Sequence, residues 1–205
     1  MRDKVLFGLT ILWSIAASVV VTVLLSVPLF WLDSRAENLT EISGLGSTQL
    51  FHNYRVLINY SMNPFVTQLK MPDFPDSPSA LTHFAEVKSL FLIALALALV
   101  LLIATVKFLR EHLHIFFRRG ILVVLAVPVV LTGIAATVGF DTFFIGFHKV
   151  LFRDNTWLFD PTTDPIINVL TDNFFMWTFV IFGTLYLLFW GILWMKGHVK
   201  HGRTV

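Results

Sequence analysis

The chain has 205 residues, of which 56% are hydrophobic, 15% aromatic and 14% charged, with a formal net charge of +2 and no cysteine. Soluble domains carry about 25% charged residues, so the composition excludes a water-soluble globular protein and points to an integral membrane one. The missing cysteines exclude disulfides, thiolate metal sites and a thiol nucleophile.

Four uncharged runs, from 18 to 28 residues long, organise the chain: Val5 to Leu32, Ser89 to Val106, Gly120 to Phe140 and Asn173 to Met195. Spanning hydrocarbon takes roughly 20 apolar residues, and lipid offers the backbone no partners, so each run is expected to be a helix. The first run is too long for the apolar region of a signal peptide and no small-x-small site follows it, so it reads as an uncleaved anchor. Pro28 is expected to kink that helix or end it early. The second run is short, but the stems of Lys88 and Lys107 can snorkel at its ends.

Basic residues then orient the chain. Arg2 and Lys4 precede the first span, Lys107, Arg110, Arg118 and Arg119 fill the link between spans two and three, and Lys196, Lys200 and Arg203 follow span four. The positive-inside rule puts these segments, and hence both termini, in the cytoplasm. The expected architecture is an all-α membrane protein in one domain, 1–205. Its spans lie near 5–32, 89–108, 119–140 and 173–195, and its outer loops, 33–88 and 141–172, form a small helical cap. Nearly all the acids fall in those two loops.

In the first outer loop, a Gly44-Leu45-Gly46 break precedes "STQLFHNYRVLINYSMNP", which reads as an amphipathic helix capped by Ser47. Leu50, Tyr54, Leu57 and Met62 form its apolar side, and Asn63-Pro64 ends it. "KMPDFPDSPS" is turn-rich. Ser77 before Pro78 then reads as an N-cap followed by a first-turn proline, opening a helix that runs unbroken into span two. His83 lies nearly two turns into it and Glu86 shares its face. In the second loop, span three is expected to continue through "FDTFFIGFHKVLFRD", with Asp141, Ile145, His148 and Phe152 on one face. Turns follow at Asp160-Pro161 and Asp164-Pro165, whose aspartates read as turn-formers bonding their own backbone.

Two histidines, His83 and His148, thus stand near the outer interface on different segments, each beside acids and aromatics. A single interfacial histidine is more often solvated than functional. Two at similar depth shift the balance, because ionisable groups at membrane level are costly. His112 and His114 read as surface groups of the inner link, His198 and His201 as groups of the tail, and His52 as structural. A metal site built from His83, Glu86 and His148 is a rival, though no compact His-Glu-x-x-His occurs. No Gly-x-Ser-x-Gly, phosphate loop, nucleotide fingerprint or nucleic-acid patch is present.

The segments "MPDFP", "HFAEVKSLF" and "FDTFFIGFHKVLFRDNTWLFDPTTDPIINVL" resemble the hallmark blocks of the bacterial lipoprotein intramolecular transacylases, the Lit family. The resemblance covers the four-span layout and is most specific in the second outer loop. It implies that His83 and His148 are the essential pair. It also implies an activity: moving the sn-2 acyl chain of an S-diacylglyceryl-cysteine lipoprotein to the α-amine of the same cysteine, giving a lyso-form lipoprotein.

Such a reaction joins donor and acceptor within one molecule and needs no covalent enzyme intermediate, no metal and no cofactor. Histidine can carry its proton transfers. Arg153, Lys88 and Asn155 are candidates to stabilise the oxyanion, and Glu86 or Asp141 to orient an imidazole. The expected partners are the diacylated lipoprotein and membrane lipid, with no nucleic acid. The expected form is a monomer in the bacterial plasma membrane with its active site at the outer leaflet. A metal-dependent lipid hydrolase and a non-enzymatic lipoprotein- or lipid-binding scaffold remain alternatives.

Overall fold

The computed structural model describes the backbone of residues 1–201 and the side chains of residues 1–197. The side chains of His198, Lys200 and His201, and all of Arg203, expected in an inner tail, lie outside the described residues. Among the described residues all regular structure is helical: α1 (Arg2–Ala36), α2 (Leu39–Ser43), α3 (Ser47–Met62), α4 (Pro78–Val100), α5 (Leu102–Arg110), α6 (Arg118–Val138), α7 (Phe140–Leu151) and α8 (Asp172–His201). Four stretches are long and apolar enough to cross a membrane: Arg2–Ala36, Pro78–Arg110, Arg118–Val138 and Asp172–Gly197. The protein is therefore an all-α membrane protein with the four spans expected. The join of α4 and α5 does not interrupt the second of them. Leu101 N–H still donates to the Leu97 carbonyl, and Thr105 N–H to that of Leu101.

The residues fall into two compact units, and each packs around its own core. The first holds Met1–Val21, Ala94–Val138 and the chain from Val180. Leu6, Phe108, Ile121, Trp190 and Leu193 form its centre. Trp190 is fully buried, so its indole N–H needs a partner, and it donates to Ser14 Oγ at 2.9 Å. The Arg2 guanidinium donates to Glu111 at 2.8 Å. One expectation fails here. His114 is not a surface group but is buried, in the short 3-10 turn after α5. That turn follows His112, whose φ of 53° reverses the chain and folds the next residue inward.

The second unit holds Thr22–Ile93 and Gly139–Phe179. Phe30 and Tyr54 stack at 4.1 Å between ring centroids, and the Tyr54 hydroxyl donates to Ser26 Oγ at 2.6 Å. Phe74, Phe84, Ile166 and Phe174 extend the same core. In α3, Leu50, Tyr54 and Leu57 are buried and Met62 is half-buried, as the periodicity predicts. His52 is exposed on the other side. The cap of α3 falls one residue earlier than predicted, at Gly46, whose N–H donates to the Gln49 side chain at 3.1 Å. The "MPDFP" segment is fixed by Asn53, which is fully buried. Its amide donates to Asp73 at 2.7 Å and its oxygen accepts from the Asp73 N–H at 3.1 Å.

Two further expectations need correction. Pro28 does not end α1, which continues to Ala36. Proline removes one intrahelical donor, and the burial of Phe30 against Tyr54 holds the helix beyond it. Nor does span three run on: α6 stops at Val138 and α7 begins at Phe140. Between them Gly139 has φ 86°, a conformation that side-chain-bearing residues rarely adopt. The helical hydrogen-bonding starts afresh with α7, whose Phe143 N–H donates to the Gly139 carbonyl.

Candidate active site

All parts of the site belong to the second unit. Ser77 opens α4 as expected: its hydroxyl accepts the Ala80 N–H at 3.1 Å, and Pro78 takes the first helical position. Ser77 is itself gripped by Asp164, whose carboxylate accepts the Ser77 N–H at 2.7 Å, its hydroxyl at 2.9 Å and the Thr163 hydroxyl at 2.9 Å. Asp164 is 2% exposed. It thus ties the two outer loops together instead of bonding its own turn, which corrects the reading of it as a turn-former. Asp160 does play that part, accepting the Thr162 N–H at 2.8 Å.

From this anchored start, α4 delivers His83 into an aromatic enclosure. His83 is buried, with Phe152 and Phe159 edge-on at 4.6 and 5.6 Å. Its Nδ1 is buried without a hydrogen bond. The nearest acid oxygen, Glu86 Oε2, is 3.9 Å away, beyond hydrogen-bond range. The α7 helix delivers His148, whose ring centroid lies 5.9 Å from that of His83. Phe144 at 4.1 Å and Trp157 at 4.9 Å flank the His148 ring.

The tautomer of His148 follows from its partner. Nδ1 lies 2.9 Å from the Phe144 carbonyl oxygen. A carbonyl only accepts, so Nδ1 carries the proton and Nε2 of the neutral ring is the free base. Burial pushes the His148 pKa below the usual histidine value, opposed by the Phe144 carbonyl.

The segment after α7 closes over both rings. Asp154 Oδ1 accepts the Thr156 N–H at 3.1 Å and its hydroxyl at 2.6 Å, and the Trp157 indole donates to the Asp154 carbonyl at 3.1 Å. The Thr156 hydroxyl also lies 3.3 Å from Glu86 Oε2. The Thr156 hydroxyl, and secondarily its amide, hold the Asp154 carboxyl below the usual carboxylate range.

The structure thus brings His83, His148 and Glu86 together, while the other candidates hold different partners or stand exposed. Lys88 is directed to the carbonyls of Asn63, at 3.0 Å, and Val66, with its ammonium 4.4 Å over the Tyr60 ring. It braces the first loop and is not a free donor for an oxyanion. Asp141 is exposed in the first turn of α7, and the Phe144 carbonyl does the orienting expected of it. Arg153 and Asn155 are exposed on the loop between Phe152 and Trp157. Among the described residues, no three of His, Asp and Glu converge to hold a metal ion. The parts that sequence reasoning misses are Asp154, Thr156 and the tie from Asp164 to Ser77, and no spacing along the chain signals them.

Comparison with known proteins completes the description. The model of the family described as "Lipoprotein intramolecular transacylase Lit" matches residues 4–175. Among solved structures, the membrane-integral lipoprotein intramolecular transacylase Lit of Bacillus cereus superposes with a TM-score of 0.83 at 24% identity, covering 99% of this chain and 98% of that one. Two variants of the Bacillus cereus protein, with a histidine replaced by arginine or by alanine, each superpose with a TM-score of 0.75 at 24% identity. The arginine variant covers 98% of this chain and 94% of its own, the alanine variant 99% and 96%. No curated protein sequence matches.

Proposed function

The chain belongs to the lipoprotein intramolecular transacylase family, and from that premise we propose that it moves the sn-2 acyl chain of a diacylglyceryl-cysteine lipoprotein to the α-amine of the same cysteine. The observation that carries this reading is the pairing of His83 and His148 at 5.9 Å with the His148 tautomer fixed.

The chemistry balances within the substrate. The neutral amine attacks the ester carbonyl, so a C–N bond forms and the amine nitrogen sheds a proton to His148 Nε2. The C–O bond to glycerol then breaks. The departing oxygen takes up one proton, returned from His148 directly or relayed through the neighbouring His83 ring. Acid–base help of this kind contributes roughly 10²–10⁴ in rate. Holding amine and ester together contributes more, because effective molarities reach on the order of 10⁵ M. Arg153 and Asn155, exposed on the loop beside the pair, are the donors left to face a developing oxyanion. The Phe144, Phe147, Phe152 and Trp157 rings supply the apolar walls that an acyl chain needs.

In this reading the protein acts as a monomer on lipoprotein and membrane lipid. Both termini are cytoplasmic and the histidine pair stands at the outer leaflet. A cysteine placed at Ser43 or Thr162 should react with impermeant reagents from outside only, and labelling from the cytoplasmic side sinks that orientation. For the activity, mass spectrometry of a lipoprotein N-terminus from cells with and without this chain should show an N-acylated lyso form only when the chain is present. An unchanged diacyl form at full expression overturns the reading.

A further inference from the structure

We infer that Glu86 and Asp154, standing on either side of the Thr156 hydroxyl next to His83, form a subsite that holds the substrate's α-ammonium group. The inference rests on the transacylase reading and specifies how that site recognises its acceptor.

The hydroxyl geometry comes first. Thr156 Oγ1 lies 2.6 Å from Asp154 Oδ1 and 3.3 Å from Glu86 Oε2. A hydroxyl has one proton to give. The shorter contact takes it, so Glu86 Oε2 faces an oxygen and lacks a donor of its own. On its other side stands His83, 7% exposed, whose buried Nδ1 has no hydrogen bond and lies 3.9 Å from the same Glu86 oxygen. The buried imidazole nitrogen without a partner is costly to maintain, and the half-open Glu86 carboxylate stands next to it. The pairing indicates a place meant for a third group that brings protons.

The spacing fits a primary ammonium. Glu86 Oε2 and Asp154 Oδ1 both contact one atom, so they are at most about 6 Å apart. Two charge-assisted N–H···O bonds of about 2.8 Å, diverging at the tetrahedral angle of an ammonium, span about 4.6 Å, within that limit. An ammonium has three donors, enough for both carboxylates and one further acceptor. The Glu86 side chain is 37% exposed, so the subsite opens to an incoming group. The basic residues near it do not compete: Lys88 is bound to the Asn63 and Val66 carbonyls, and Arg153 is exposed on the loop. An N-terminal amine, with an ordinary pKa of about 7.7–8.0, arrives mostly as the cation. The subsite therefore sets it beside the histidine pair, and one proton leaves to solvent through the open side of Glu86 before the neutral amine attacks.

The test separates recognition from chemistry by measuring binding in the His148→Ala variant, whose turnover should be slower by roughly 10²–10⁴. Two probes are used in detergent micelles: a synthetic diacylglyceryl-cysteine lipopeptide with a free α-amine, and the same lipopeptide N-acetylated. At pH 7 the free-amine probe should bind about tenfold more tightly, in line with charged hydrogen bonds in a partly open site. Adding Glu86→Gln or Asp154→Asn should shrink that preference to less than about threefold, and Glu41→Gln, an exposed acid on α2, should leave it unchanged. At pH 9.5 the preference should fall in the parent too, as the amine loses its charge. A preference that survives both substitutions, or that is unchanged at pH 9.5, overturns the subsite. In parallel, the wild-type protein is given the free-amine probe. If it yields no N-acylated product, the transacylase reading fails, whatever the binding shows.

Discussion

Asp164 holds Ser77 by both its amide and its hydroxyl, at 2.7 and 2.9 Å. Ser77 caps the helix that carries His83, so this one carboxylate fixes where the first imidazole begins its approach. Asp164 sits four residues after Asp160, in the loop that follows the helix bearing His148. The position of one histidine is thereby set by the segment that delivers the other.

Replacing Asp164 with alanine should therefore damage both stability and activity. The substitution leaves the Ser77 N–H and two hydroxyls without their acceptor in a part-buried place. Hydrogen bonds to a charged group contribute about 1.5–3 kcal/mol each, net, so thermal unfolding in detergent should occur several degrees lower. Asp164→Asn, which keeps one acceptor oxygen, should lie between the two. An alanine variant with wild-type melting and turnover would show that the tie between the loops does not matter.

Lys88 should prove a brace and not a participant in chemistry. Its ammonium is bound to the carbonyls of Asn63 and Val66 and rests over Tyr60. Lys88→Met should lower the melting temperature, while turnover of the protein that remains folded should fall by less than about tenfold. Loss of a true oxyanion donor costs on the order of 10²–10³ in kcat. A drop of that size at unchanged melting temperature would restore Lys88 to the reaction.

The limits of sequence reasoning are visible in the same residues. Hydropathy and flanking charge identify all four spans, because lipid leaves the backbone no alternative to helix. The Ser77-Pro78 cap and the buried face of α3 are likewise local and legible. For Lys88 the sequence gives the neighbours along the helix but not the loop carbonyls it meets. His114 looked like a surface group because its neighbours are arginines, and only the reversal at His112 turns it inward. Gly139 reads as an ordinary helical glycine until its φ of 86° is known, and that φ is what ends α6. Burial cost draws attention to the two histidines and the family resemblance pairs them, whereas Thr156 and Asp164 act across chain separations that no periodicity encodes.

Asp76 gives a prediction about pH and stability. Its carboxyl is pushed up to about 6, first by burial and then by the neighbouring Asp164, and its Oδ1 is buried without a hydrogen bond. A carboxyl whose folded pKa exceeds its ordinary value binds protons better when folded. Its contribution is thus present below the ordinary carboxylate range and is lost as pH rises through about 6. Asp76→Asn should raise the melting temperature at pH 7.5, by an amount worth roughly 1 kcal/mol or less after solvent screening. The gain should vanish near pH 4. Equal melting of the two proteins at every pH removes Asp76 as a source of acid dependence.

His148 carries the sharpest prediction. Substituting alanine should reduce transfer by roughly 10²–10⁴ while leaving the protein folded, because the ring is only partly buried and the surrounding Phe144, Phe152 and Trp157 continue to pack. Asparagine, able to hydrogen-bond but not to exchange a proton in this range, should be almost as inactive. The pH profile of wild type adds a check that a structural role could not mimic. Burial holds the His148 pKa below the ordinary histidine value. Only the neutral ring has a free Nε2, so beneath the slope that the substrate amine imposes below its own pKa of about 7.7–8.0, the further loss of rate from His148 should begin only below about 6.5. In a Trp157→Leu variant, which opens the ring to water, the burial effect weakens and the acid limb should move upward toward the ordinary value. The measurement is kcat/KM for a diacylglyceryl lipopeptide between pH 4.5 and 8, for wild type and Trp157→Leu. A second wild-type limb, beneath that of the amine, that lies at the ordinary histidine pKa, or one that does not move on substitution of Trp157, excludes His148 Nε2 as the group whose protonation controls the rate.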